Sequence, residues 1–426
     1  MSFRSIAPPI KDPVDLHLEL RPCHRFTLDN GVDVYAIDAG AEEVLQVEVV
    51  YRAGNAYEGS NGIAPAVNFL LKNGTPSRNA FEINEHFDYH GAYLNRNCQS
   101  ESADVVLHCL TKHLPDLLPV MCELLTEADF PAQELDIYRQ NMKQRLDVNL
   151  RKCDFVANRL IDEYLWGFEH PYGRYSTYES YDALDRSALL DFYGRHYARG
   201  HATLFVAGLL PNDIEAQLNR HFGALPLNRD PLPAPTHPAV RAAERRHRVD
   251  NQPDGVQGAI RLARPFPNRH HPDHPGAMVL NALFGGFFGS RLMENIREDK
   301  GYTYGIYSYL QNQVAESAWM VSTEAGRDVC EAAITEVYHE MRRLREEEIP
   351  DEELQMVRNY LMGTLLGDLD GPFQIIGRWK NLVINGLDEA FFRRTVDTIR
   401  NIPGAELNAL AARYLREEDF YELVVV

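Results

Sequence analysis

The chain has 426 residues, 45% of them apolar and 25% charged, with a formal net charge of -19. This is the balance of a soluble globular protein, in a length that one ordinary hydrophobic core does not fill, so two domains are expected. The acidic excess argues against nucleic acid and anionic lipid as main partners, because both need Lys/Arg surfaces.

No apolar run reaches the roughly 18 residues that span a membrane. The start, "MSFRSIAPPIKDPVDLHLEL", has neither an apolar signal core nor the composition of a transit peptide. The expected compartment is the cytoplasm, with the periplasm as the alternative. The six cysteines, Cys23, Cys98, Cys109, Cys122, Cys153 and Cys330, form no C-x-x-C pair and read as reduced thiols.

In chain order, "HRFTLDNGVDVYAID" predicts two strands around a turn at Asp29-Asn30-Gly31, and "EVLQVEVVYRAG" a third strand. "NGIAPAVNFLLKNGT", from Asn61 to Thr75, follows as an apolar helix with a turn behind it. Next come a helix in "NAFEINEHFDYHG", a strand pair in "AYLNRNCQSESADVVLHCL" and a helix in "LPDLLPVMCELLTEA". The passage "LPLNRDPLPAPTHPAVRAAERR", residues 225 to 246, holds five prolines and reads as an extended linker.

Beyond it the order returns: strand "GAIRLARPF", helix "HPGAMVLNALFGG", helix "SRLMENIREDKG", strands "YTYGIYSYLQ" and "SAWMVSTEAG", helix "VCEAAITEVYHEMRRLREEE". Each half closes on helices and an apolar strand, "ATLFVAGLL" and "YELVVV". The repetition predicts an α+β protein of two homologous domains, each a mainly antiparallel sheet with helices on one face. The boundaries drawn are 1–227 and 246–426, with 228–245 as linker.

Several clusters carry chemistry on paper. His86 and His90 stand at i and i+4 in "HFDYH", a spacing from which a zinc site can be built, but no third ligand is set by spacing and the segment is polar. His270, His271 and His274 precede a helix that Asp273 could cap, where polar residues are common. His339 in "HEMRR" lacks the second His of H-E-x-x-H. "LFGGFFGSRL" matches no nucleotide-binding pattern and reads as a tight turn with close backbone approach. Solvated or structural roles are favoured for all four.

From Gly62 to Thr75 the helix registers without a gap on G-L-A-H-F-L-E-H-M-L-F-K-G-T, and the segment thereby resembles the signature of the pitrilysin/insulinase (M16) family of zinc peptidases. "TLDNGVDVY", "GAYLNRNCQSESADVVLHC", "HPYGRYSTYES", "YARGHATLFVAGLL" and "VLNALFGGFFGSRLMENIREDKGYTYGIYSYL" extend the likeness in order across both halves. The resemblance implies two homologous α+β domains. Two such chains, or one of double length, close around a peptide chamber.

The departures matter as much as the match. In the family an H-x-x-E-H helix supplies two zinc ligands and a general base, and a later helix supplies a third ligand. Those positions here are Pro65, Asn68, Phe69 and Arg145. Pro and Phe cannot ligate zinc, Asn cannot take a proton from water, and Arg carries a fixed positive charge. Pro65 also predicts an altered first helical turn, since proline has no N–H to bond back four residues.

What survives is Arg297 and Tyr304, in "REDKGYTY", which resemble the family's second-domain Arg/Tyr pair. In the family these side chains hold the substrate backbone and donate to the oxyanion at the opposing domain's zinc. The neighbouring Tyr302, Tyr307 and Tyr309 read as packing residues. The resemblance therefore implies a chain that binds no metal itself and serves as the zinc-free subunit of a heterodimeric peptidase. Its expected partners are a zinc-bearing M16 subunit and unfolded peptide, with a homodimer possible in isolation. A peptide-binding or scaffold protein without a role in catalysis is the alternative, and an enzyme with a relocated site, using the His86/His90 or the His270/His271/His274 cluster, is a third.

Overall fold

The structure is a computed structural model and describes residues 12–228 and 235–426. Part of the proline-rich linker, 229–234, and the first eleven residues lie outside the described residues. The chain forms two compact units that interleave in sequence. Of the described residues, the first holds 22–228, 235–261, 371–381 and 421–426; the second holds 12–21, 262–370 and 382–420. These units divide the chain differently from a single cut at 228–245.

The first half runs β1 (His24–Thr27), β2 (Asp33–Asp38), β3 (Val44–Tyr51), α1 (Ile63–Leu70), α2 (Ala80–Tyr89), β4 (Tyr93–Cys98), β5 (Ala103–Leu110), α3 (Leu114–Glu127), α4 (Ala132–Leu150), α5 (Cys153–Trp166), α6 (Tyr178–Asp182), α7 (Arg186–Tyr193), β6 (Ala202–Gly208) and α8 (Ile214–Leu218). Its six strands take the order β1-β2-β6-β3-β5-β4. Only the β2–β6 pair is parallel; the other four are antiparallel.

Alternation along β3 sets the layers. Leu45, Val47, Val49 and Tyr51 point to one face and join Ala64, Val67 and Leu70 of α1 and Leu118, Met121 and Leu125 of α3 in one core. Gln46 and Glu48 point the other way. There the start of a later helix, within the same unit, covers them: Lys380 Nζ lies 2.7 Å from Glu48 Oε1, and the Phe373 ring meets His108 edge-on at 6.0 Å. Helices on one face alone are what the sequence predicts; here a later helix also lies against the polar stripe of β3, with Lys380 pairing the buried Glu48.

The second half runs β7 (Arg246–Val249), β8 (Gln257–Phe266), α9 (His274–Asn281), β9 (Thr303–Asn312), β10 (Ser317–Gly326), α10 (Cys330–Glu346), α11 (Asp351–Gly367), α12 (Pro372–Ile384), α13 (Glu389–Asn401), α14 (Gly404–Tyr414) and β11 (Tyr421–Val425). The strand order is β7-β11-β8-β10-β9. β7 and β11 pair in parallel, and β9 and β10 form an antiparallel hairpin with a bulge near Ala325. In the second unit Trp319 is buried edge-on against Phe266 at 5.5 Å, and its Nε1 donates to Ser308 Oγ at 2.8 Å. Gly285 lets the "LFGG" turn press on β9: a Cβ there would stand 2.7 Å from the Ser308 side chain.

The described end of the linker is not a free tether. His237 Nε2 lies 2.9 Å from the Ala56 carbonyl. The Val240 N–H donates to Trp166 O at 2.8 Å, and the Ala242 N–H to Tyr164 O at 2.9 Å. Gly167, with φ +88°, admits this strap, since a Cβ there would stand 2.8 Å from Val240 O. Prolines keep the segment extended, and backbone hydrogen bonds dock it on α5.

Candidate functional site

Helix α1 is preceded by Gly62, whose φ of +93° turns the chain into the helix. Its N-terminus is held by the buried Glu58 carboxylate, which accepts from Gly62 N at 3.1 Å and Ala64 N at 2.9 Å. Arg174 Nη1 approaches that carboxylate at 3.6 Å. Burial raises Glu58 above the ordinary carboxyl range, against the two N–H bonds and Arg174.

Pro65 is the third residue of the helix. Its missing N–H is one that no helix of this start would bond, so the first turn is regular, and the altered turn expected from proline is corrected.

The remaining motif positions are committed to the fold. Asn68 is buried; its Nδ2 donates to Asp104 O at 3.3 Å and to Tyr197 Oη at 3.2 Å. Tyr197 is itself buried and packs at a tilt against Tyr51, with ring centroids 4.8 Å apart. Phe69 is 43% exposed, packs on Tyr138 at 5.1 Å, and carries the Arg96 guanidinium over its face at 5.3 Å. Arg96 also donates to the Phe69 carbonyl, and burial pulls its pKa down to about 10.

Arg145 lies exposed on α4; the guanidinium over Phe69 is that of Arg96, a residue the sequence alone did not single out. Its signal was present: β4 alternation puts Arg96 on the side of buried Leu94, an inward-pointing charge on an edge strand. Lys72 feels the same cation, and burial followed by Arg96 lowers its pKa.

Zinc does not fit here. The first-ligand position has no donor atom, the base position has spent its amide on Asp104 and Tyr197, and the second-ligand position is a phenyl ring beneath a cation.

Arg297 and Tyr304 meet in the second unit. Arg297 ends a wide helical turn, Met293–Asp299. Gly301, at φ +64°, reverses the chain, and the Tyr302 N–H returns to Ile296 O at 3.0 Å. Tyr304 then opens β9, an edge strand. Arg297 Nε donates to the Tyr304 carbonyl at 3.0 Å, its Nη1 pairs with Glu298, and its guanidinium lies 4.7 Å over the exposed Phe288 ring. The Tyr304 side chain stands 93% exposed. Tyr307 and Tyr309, expected to pack, are exposed on the same strand.

The histidines of "RHHPDHPG" do not converge. His270 Nε2 meets Asn385 O at 2.8 Å, and His271 Nδ1 accepts from Asp273 N at 3.2 Å. Buried His274 contacts Asn312 Oδ1 at 2.8 Å, and burial drops its pKa to about 4. Asp273 makes no side-chain cap on α9 and instead accepts from Tyr414 Oη at 2.7 Å. All six cysteines are free, and burial pushes Cys98, Cys109 and Cys122 each to about 12.

Two family models match the chain: Insulinase (Peptidase family M16) over residues 34–169, and Peptidase M16 inactive domain over residues 183–361. The chain belongs to the M16 peptidase family. This M16 chain is 24% identical over 424 residues to an uncharacterized zinc protease of Mycobacterium tuberculosis (strain ATCC 25618 / H37Rv), covering 96% of this chain and 94% of the relative. In structure it is similar to a peptidase M16 inactive domain from Pseudomonas fluorescens, with TM-score 0.82 and 20% identity over 95% of this chain and 98% of that one. It is also similar to the periplasmic protease PqqL from Escherichia coli, with TM-score 0.79 and 16% identity, covering 96% of this chain and 46% of that one. The structural likenesses establish the two-domain duplicated fold.

Proposed function

We propose that this M16 chain is the non-catalytic subunit of a two-chain zinc peptidase. A separate M16 chain with an intact H-x-x-E-H supplies the zinc. This chain closes the peptide chamber and presents Arg297 and Tyr304 to the partner's site. Unfolded peptide binds there in extended form, as an added strand on a sheet edge of the zinc-bearing chain.

The observation that carries the reading is a contrast within one chain. The motif helix has turned its polar group inward, on Asp104 and Tyr197, while the Tyr304 phenol stands 93% exposed at the start of an edge strand. A phenol so placed can donate to a developing oxyanion only if another molecule brings one. The match of this chain to under half of a longer M16 protease supports a partner of similar size.

The test is reconstitution. The purified chain is mixed with an M16 chain bearing H-x-x-E-H, and cleavage of an unstructured peptide is followed. Cleavage by the mixture that falls when Arg297 and Tyr304 are substituted supports the assignment; cleavage indifferent to both substitutions removes it.

One observation favours a second reading, a peptide-binding or scaffold protein idle in catalysis. The Arg297 guanidinium is already engaged by the Tyr304 carbonyl, Glu298 and Phe288. A stable homodimer that sequesters peptide and is indifferent to any zinc-bearing chain distinguishes that reading.

A further inference from the structure

We propose that His90, His113 and Asp116 form a surface site in the first unit for a divalent transition cation of the zinc class, separate from the vacated motif on α1. One ligand atom from each of the three side chains lies within 4.8 Å of the others. The His90 and His113 rings are 5.0 Å apart, and His90 Nε2 stands 3.9 Å from Asp116 Oδ2. That is too long for a hydrogen bond. It is within reach of a shared ion, because ligands about 2 Å from a tetrahedral metal stand roughly 3.3 Å from one another. The exposed Asp116 side chain can turn to close the difference.

The fold builds this cluster from residues far apart in sequence. His90 follows the last residue of α2, and Gly91, at φ +61°, turns the chain into β4. Tyr93 pairs with His108, so the same register carried two residues outward sets Gly91 level with Leu110. The returning strand therefore delivers Thr111–His113, a tight turn, beside the end of α2. Asp116 follows in the first turn of α3.

Two further observations point to a ligand. His90 Nδ1 is 2.8 Å from the His86 carbonyl, a bond that only an Nδ1–H can make. The tautomer is thereby set with the Nε2 lone pair toward His113 and Asp116, which is the outer-shell arrangement of a metal-bound histidine. Among the described residues, moreover, nothing hydrogen-bonds to the His113 ring or the Asp116 carboxylate. His86 is a positioning residue: its Nε2 lies 3.1 Å from the Asp116 carbonyl, tying α2 to α3. Two imidazoles and one carboxylate suit zinc, and leave a fourth position for water or an incoming ligand.

The test uses the full chain, stripped of metal and titrated with Zn²⁺ against a chromogenic chelator, with Co²⁺ as a spectroscopic probe of geometry. The expected result is one equivalent of Zn²⁺ per chain and Co²⁺ d–d bands of a low-symmetry site. His90→Ala and His113→Gln should each weaken binding more than tenfold, with Asp116→Asn weaker by about tenfold. His270→Ala and His271→Ala together should change nothing. If His90→Ala unfolds the chain, His113→Gln at its half-exposed position carries the comparison. Absence of stoichiometric uptake, or uptake unchanged in His113→Gln, overturns the proposal. Neither result bears on the role of Arg297 and Tyr304, which reconstitution with a partner tests separately.

Discussion

Helix α1 and the start of β9 hold the two remnants of M16 chemistry in this chain, and they have gone opposite ways. Around α1 the polar groups are committed to the fold: Glu58 caps the helix from outside it, Asn68 bridges β5 and Tyr197, and Arg96 of β4 closes over the half-exposed Phe69. At β9 the Arg297–Tyr304 pair is assembled by a glycine turn and left outside, with the phenol in solvent. The same chain thus holds one motif region tied into its packing and one left accessible to another molecule. Placing zinc ligands on α1 would mean undoing this packing as well as exchanging residues.

The contrast can be broken by showing that either region behaves like the other. The largest effect is expected at β9. In a reconstituted two-chain enzyme, Arg297→Ala combined with Tyr304→Phe should lower the turnover of peptide by about 10²–10³-fold. The urea midpoint of the chain should not move. A change in stability without a change in turnover would place the pair with the structural residues.

Next comes the polar face of the first sheet. Lys380→Met leaves Glu48 buried without its cation and should cost about 3 kcal/mol near neutral pH, the low end for a broken buried pair because Lys380 is partly exposed. The pH dependence has a definite sign. Burial raises the folded-state pKa of Glu48, with Lys380 the largest opposing influence. The stability contribution of such a group is complete below its unfolded-state pKa and is lost as pH rises through the folded-state value. Removing Lys380 raises that value further. The gap between wild type and variant should therefore be small at about pH 5 and widen toward about pH 8, as measured by urea unfolding at the two values.

Asn68→Ala strips the amide from its two buried acceptors and should cost about 1–3 kcal/mol, read from the same unfolding curves, with cleavage by the reconstituted enzyme unchanged at a temperature where the variant is folded. A variant that loses cleavage while keeping its stability would return α1 to the working site. The smallest effect is expected for Gly301→Ala, at φ +64°, at about 1 kcal/mol. It sharpens the comparison because it perturbs the turn that aims Tyr304: cleavage should drop by more than the stability loss explains.

Much of the fold can be read in the sequence because its signals are local. Strand alternation, the turn at Gly31 and the amphipathic helices all lie within a few residues of their causes, and three of the four substituted motif positions, Pro65, Asn68 and Phe69, lie close together on α1. Other features escape because their causes are distant. The partners of Asn68 come from 36 and 129 residues away, so an asparagine in a ligand position does not announce its bonds. The His113 and Asp116 neighbours of His90 arrive only through the β4–β5 register. The linker reads as a tether because prolines remove helix and strand periodicity, yet its exposed N–H groups at Val240 and Ala242 find carbonyls on α5. Arg96 was legible by its parity with Leu94, and reading β4 for inward charge would have found it.

The central claim is that this chain contributes to a peptidase without being one. The most direct measurement follows cleavage of an unstructured peptide by this chain alone with added zinc, by an H-x-x-E-H partner alone, and by the two together. The account predicts no turnover from the chain alone and the highest turnover from the mixture, dependent on Arg297 and Tyr304. Turnover by the lone chain, abolished by chelation, would contradict it.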